Sequence, residues 1–141
     1  MRLLTKAKLY MSVSLPQQWL DRATEDLAVA HLALEKGFYS HACFLTQQCM
    51  EKALKGYLLA KTNSYPRTHG LVDLVNRCAV FDLEISQFSS DCAVIDQYYT
   101  PSRYPDALAG AGPDALPDRN EAQEAIESGN EILQYIIPRL A

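Results

Sequence analysis

The chain has 141 residues, a formal net charge of −4, 48% hydrophobic and 21% charged residues. That length is one domain by the usual prior and buries enough apolar surface to need neither disulfides nor a structural metal, while the composition excludes disorder across the whole chain. Charge is uneven, with ten Lys/Arg against six Asp/Glu over residues 1–81 and three against eleven over 82–141, which excludes a strongly basic nucleic-acid binder and allows polar contact between the halves or between chains.

The first residues, "MRLLTKAKLYMSVS", scatter basic residues through a short apolar stretch and lack the continuous apolar core of a signal peptide. Residues 1–13 read as a tail and 14–141 as a single helical domain. No apolar run approaches the length of a membrane span.

The first predicted helix begins at Pro16, a favoured first-turn residue, and stops at Gly37. Leu20, Ala23, Leu27, Ala30 and Leu34 form one continuous stripe, as in a bundle helix. A second helix is predicted over about residues 39–61, with apolar side chains around most of its circumference; a helix of that kind is central. Gln48, Glu51 and Lys55 fall within about 60° of one another on its wheel, a polar ridge in apolar ground. As a surface feature, Glu51 and Lys55 are an i, i+4 ion pair of a few tenths of a kcal/mol. In apolar surroundings such a pair is costly unless fully hydrogen-bonded, so the ridge reads equally as a structural polar network or as a site.

"NSYPR" ends the second helix. "THGLVDLVNRCAVF" is a short third helix opened by His69, with Leu71, Leu74, Val75 and Cys78 inward. "ISQFSSDCAVIDQYYT" is a fourth, with Phe88, Cys92, Ile95 and Tyr99 on one side, ended by Pro101. Residues 100–118 form a long Gly/Pro/Ala loop in which Pro-Asp-Ala-Leu occurs twice, at 105–108 and 113–116; a loop of this length is functional or disordered. Asp118 and Glu121 start the last helix, which presents Ala122, Ala125, Gly129, Ile132, Leu133 and Ile136 until Pro138. No segment alternates with a period of two. The fold class is all-α: an antiparallel up-and-down four-helix bundle with an additional short helix.

Cys43, Cys49, Cys78 and Cys92 contain no C-x-x-C and read as structural thiols in a reducing, cytoplasmic setting. His31, His41 and His69 have no metal-ligand spacing, and no phosphate-binding glycine motif or nucleophile elbow occurs. Arg103 stands out in "YYTPSRYPDA". Pro101 and Pro105 stiffen its segment, and a guanidinium suits bidentate capture of phosphate or carboxylate. Tyr98 and Tyr104 are placed to stack on a base or to cover apolar surface. An anchor to a buried carboxylate such as Glu51 and a ligand contact remain equal readings of Arg103.

The ordered set Asp26 to Ala30, Gly37 and Tyr39, "QQCMEKALKGYL", "HGLVDL" and "YYTPSRYPDA" resembles the HEPN domain over about residues 16–138. The resemblance implies a compact antiparallel helical bundle that forms homodimers, often paired with a minimal nucleotidyltransferase in two-component or toxin–antitoxin systems. Many members are metal-independent endoribonucleases with an Arg-x4–6-His motif. That motif is absent here: Leu108, Ala109 and Gly110 stand where Arg103 would need its histidine. The chain instead resembles the branch with Arg-Tyr-Pro after the fourth helix, to which nucleotide binding is ascribed, and Glu51, Lys52, Lys55, His69, Tyr99, Arg103, Tyr104 and Pro105 occupy its motif positions. The expectation is a nucleotide (ATP or GTP) or phosphate site built from Gln48, Glu51, Lys52, Lys55, His69, Tyr99, Arg103 and Tyr104, with no catalytic residue, metal or cofactor assigned. Two alternatives are an endoribonuclease with an altered constellation of Arg103 and His69, and a non-catalytic structural dimer.

Overall fold

Ser14 starts the first helix: its side-chain oxygen accepts the Gln17 N–H at 3.3 Å, satisfying one of the donors that a helix start leaves unpaired. In the computed structural model, which describes residues 13–99 and 116–140, helix α1 spans Leu15–Glu35 and buries Leu20, Ala23, Leu27 and Ala30, members of the predicted stripe. Gly37 follows with φ of +82°, a left-handed conformation that glycine adopts without a Cβ penalty. The tight reversal sends α2, Tyr39–Thr62, back along α1. Asn63, at φ of +63°, ends α2 in the same left-handed region.

Helix α2 is the central rod, packed against α1, α5 and α3. Its wide apolar coverage is buried within this one chain, down to Tyr57, Leu58 and Leu59 at its C-terminal end. The short helix α3 spans Leu71–Ala79 and buries Leu71, Leu74, Val75 and Cys78. The predicted fourth helix is composite, a 3-10 segment at Leu83–Phe88 followed by α4, Ser89–Asp96. Its physical reason is local. The Asp82 carboxylate accepts the Glu84 N–H at 3.1 Å, and the Ser86 hydroxyl donates to the Leu83 carbonyl at 2.7 Å, side-chain bonds that compete with the α-helical ladder. Ile85, Phe88, Cys92 and Ile95 nevertheless reach the core. Helix α5, Arg119–Ile136, begins with the capping box its sequence announces. There the Asp118 carboxylate accepts the Glu121 N–H at 2.8 Å, and Glu121 accepts the Asp118 N–H at 3.3 Å. A 3-10 turn over Ile137–Arg139 carries Pro138. No strand occurs among the described residues. Residues 1–12 of the tail, the loop segment with Arg103 and Tyr104, the first Pro-Asp-Ala-Leu copy and all but Leu116 of the second lie outside the described residues.

Two glycines set the helix spacing. At Gly56 a Cβ would stand 3.2 Å from the Pro16 carbonyl oxygen and 3.3 Å from the Trp19 Cβ; at Gly129 it would stand 2.8 Å from the Thr46 Cγ2. Thr46 has little room to yield, since it is fully buried and its hydroxyl donates to the Ala42 carbonyl at 2.8 Å. Alanine gains about 1 kcal/mol of helix propensity over glycine, whereas overpacking a filled core costs roughly 1–3 kcal/mol. Gly129→Ala is therefore expected to lower stability in urea denaturation. Adding Thr46→Ser, which removes Cγ2, restores it beyond the sum of the single changes; an additive cycle would place the clash elsewhere.

All four cysteines are buried and free. Burial pushes each thiol from an ordinary value of 9.0 up to about 12. Because the folded values exceed the unfolded ones, the native state holds the thiol protons more tightly. Their contribution is complete below pH 9 and is lost as pH rises toward about 12. At pH 8 the native protein is expected to resist dithionitrobenzoate until urea unfolds it, and rapid native labelling would contradict this burial.

Candidate phosphate-binding site around Glu51

Glu51, Lys55 and Gln47 lie one turn apart in succession on α2, so their side chains form a single file along the rod. All three are buried. Lys55 Nζ donates to Glu51 Oε2 at 3.1 Å, with the two side chains 4% and 7% exposed. Gln47 Nε2 donates to Glu51 Oε1 at 3.3 Å and to the His69 carbonyl at 3.1 Å. Gln48 Nε2 in turn donates to Gln47 Oε1 at 2.6 Å. The carboxylate is thus taken out of water with its lone pairs occupied, the condition under which a buried pair is tolerated.

His69 enters from the segment between α2 and α3. Its Nδ1 stands 3.2 Å from each Glu51 oxygen, which places the proton on Nδ1 and presents Nε2, the nitrogen Glu51 does not engage, on a side chain that is 58% exposed. Tyr99 stacks on the imidazole, with centroids 5.6 Å apart and planes 10° from parallel; Phe44 lies 6.1 Å from Tyr99. Tyr65 flanks the other member of the pair, its ring centroid 5.5 Å from Lys55 Nζ and 4.7 Å from the Trp19 ring.

The segment carrying His69 is held from a distance. Asp96, at the end of α4, accepts the Leu71 N–H at 2.7 Å and the Val72 N–H at 3.1 Å, capping α3 with a carboxylate 25 residues away in sequence. Helix α3 accordingly starts at Leu71 after a Gly70 cap, and His69 lies just before it rather than in its first turn.

Of the residues expected at the site, Gln48, Glu51, Lys55, His69 and Tyr99 converge. Lys52 does not join them: it projects toward α1 and pairs with Asp26, because one step along α2 turns the side chain by about 100°. Arg103 and Tyr104 lie outside the described residues. Sequence reasoning passed over Gln47, the most buried polar member, although the spacing 47, 51, 55 marks it. It also passed over Tyr65, for which no local signal exists. No cluster of His, Cys, Asp or Glu suited to a metal ion occurs among the described residues.

The ordered motifs and this helical arrangement can be set against known proteins. The sequence profile of the HEPN domain matches residues 16–140. The chain belongs to the HEPN family. Among solved structures, this HEPN chain is similar to TT1696 from Thermus thermophilus, at 34% identity and a TM-score of 0.73 over 89% of this chain and 98% of that one. It is also similar to ST0689, an archaeal HEPN homologue, at 30% identity and a TM-score of 0.72 over 92% and 100% of the two chains. A Methanocaldococcus jannaschii protein named "Putative toxin MJ1304" is 25% identical over 128 residues, 84% of this chain and 83% of its own. The HEPN bundle predicted from the sequence is therefore the fold, and no described helix is long and apolar enough to cross a membrane.

Removing one member of a buried ion pair costs about 3–5 kcal/mol, whereas replacing both by neutral groups of similar shape is close to neutral. Lys55→Met is expected to fall in that range in urea unfolding, and Glu51→Gln with Lys55→Met to recover most of the loss. Equal stabilities for wild type and Lys55→Met would show that the pair is solvated.

Proposed function

We propose that this HEPN protein is a nucleotide-binding module that acts as a homodimer with a minimal nucleotidyltransferase, in a two-component or toxin–antitoxin system. The observation that carries the reading is His69: an exposed imidazole pinned at Nδ1 by a buried carboxylate and stacked on Tyr99, whose Nε2 donates to a phosphate oxygen when the ring is protonated. A polar group held this rigidly presents its remaining nitrogen with little ordering cost on binding. Arg103, Tyr104 and Gln48 complete the proposed set. The guanidinium supplies the charge that the neutralised Glu51–Lys55 pair does not. The homodimer and the nucleotidyltransferase partner rest on the family and on the toxin-named relative. The breadth of α2 no longer argues for a dimer, because one chain covers it.

A second reading, metal-independent RNA cleavage, is favoured by the same Glu51–His69 contact. A histidine whose Nδ1 proton faces a carboxylate is held in one orientation with its Nε2 lone pair turned away from that carboxylate, as a general base requires. The chain lacks Arg-x4–6-His, so such chemistry would use Arg103 from a different register.

Calorimetric titration of ATP and GTP should show saturable binding to wild type. Arg103→Ala and His69→Ala should each weaken it by at least ~10-fold, about 1.4 kcal/mol. Equal, negligible binding by all three removes the first reading. RNA cleavage in EDTA that is lost in His69→Ala supports the second.

A further inference from the structure

Asp96 and Tyr99 stand three residues apart at the end of α4, so they share one side of the same turn. Both reach the segment that carries His69. Tyr99 stacks on the imidazole, with centroids 5.6 Å apart. The Asp96 carboxylate accepts the N–H groups of Leu71 and Val72 at 2.7 Å and 3.1 Å, one oxygen to each. We propose that Asp96 is a positioning residue for the His69 site: it touches no ligand, and it sets the register in which Glu51 and Tyr99 together hold the imidazole. The proposal rests on His69 as the ligand contact.

Register matters because the ring is held from two elements. Glu51, on α2, stands 3.2 Å from its Nδ1. Tyr99, beyond α4, lies against its face with planes 10° from parallel. Both contacts hold only while the end of α4 and the start of α3 keep their spacing, and a built site tolerates errors of about 0.5 Å. Apolar burial draws the two helices together, with Leu71, Val75, Cys92 and Ile95 in the core, but that force is non-directional. Two bonds to one carboxylate are directional and charge-assisted. The Gln47 bond to the His69 carbonyl, at 3.1 Å, ties the segment to α2 and does not involve α4. The α4 turn has its own anchor, since the Tyr98 hydroxyl donates to Glu121 at 3.2 Å. Asp96 links this anchored turn to the segment carrying His69.

The cap position of α3 supports a role beyond capping. It is Gly70, which offers no side-chain acceptor, although its backbone is extended, with φ of −76° and ψ of 121°. A Cβ there would make ordinary contact, 3.5 Å from Thr68 Oγ1. A serine would therefore fit and cap the helix locally. The carboxylate comes instead from α4, 25 residues away, and brings the tie between helices with it.

Gly70→Ser separates the two roles, because it caps α3 without linking it to α4. In NMR spectra of the ligand-free protein, His69, assigned by its loss in His69→Ala, should carry the proton of its neutral ring on Nδ1. Its carbon-bound protons should be shifted upfield by the Tyr99 ring. Asp96→Ala should abolish both marks, and ATP affinity should fall at least ~10-fold. Asp96→Asn keeps one acceptor and should diminish the marks less. Adding Gly70→Ser to Asp96→Ala should raise the melting temperature without restoring them. Gly129→Ala, destabilised through the core, should keep both as in wild type. Unchanged marks in Asp96→Ala, or in Asp96→Asn where the alanine variant does not fold, overturn the proposal. So does their return on adding Gly70→Ser, which would reduce Asp96 to a cap. Because the ring is read without ligand, failure of the wild type to bind ATP strikes the nucleotide reading and is told apart from either result.

Discussion

One carboxylate in the middle of the most buried helix organises this molecule. Glu51 is 5% exposed and Lys55 3%, and desolvating two charges is expensive unless each finds close partners. The three partners come from two places: Lys55 and Gln47 along the same helix, and His69 from the connection beyond it. Satisfying Glu51 therefore obliges the chain after α2 to fold back over the rod. The Tyr65 ring over Lys55 and the Asp96 cap on α3 hold it there. A local electrostatic requirement thereby becomes a tertiary constraint.

The network also separates two tasks within one helix. The file of Gln47, Glu51 and Lys55 runs along the rod toward His69 and Tyr65, while Lys52, one residue from Glu51, faces α1 and Asp26. Tyr65 lies near both, its ring centroid 5.5 Å from Lys55 Nζ and 4.7 Å from the Trp19 ring. A few residues of α2 thus address two surfaces, and the turn of about 100° per residue is what keeps them distinct.

The rods themselves were legible from the sequence because their causes are local. The stripe of α1, the all-round apolar character of α2 and the Asp118–Glu121 capping box each follow from side chains within a turn or two of one another. Legibility failed where a longer-range group intervened or a local one competed. The 3-10 start of the fourth rod depends on Asp82 and Ser86 bonding to backbone, which apolar spacing does not register. The beginning of α3 depends on Asp96, far along the chain. Gln47 sits between Thr46 and Gln48 with nothing local to set it apart, although its spacing to Glu51 was visible in principle.

By itself, the sequence determined an all-helical bundle, the central place of α2 and the presence of a polar ridge on it, since helix periodicity and capping act over a few residues; the ordered motifs carried the resemblance to the HEPN family. Only the tertiary structure decided that the ridge is sealed around Glu51, that His69 turns one nitrogen inward and shows its other side to solvent, and that Lys52 belongs to a different face. Those outcomes rest on which side chains from distant segments reach a buried charge. Burial and partnership are properties of the packed chain, and spacing along one helix does not contain them.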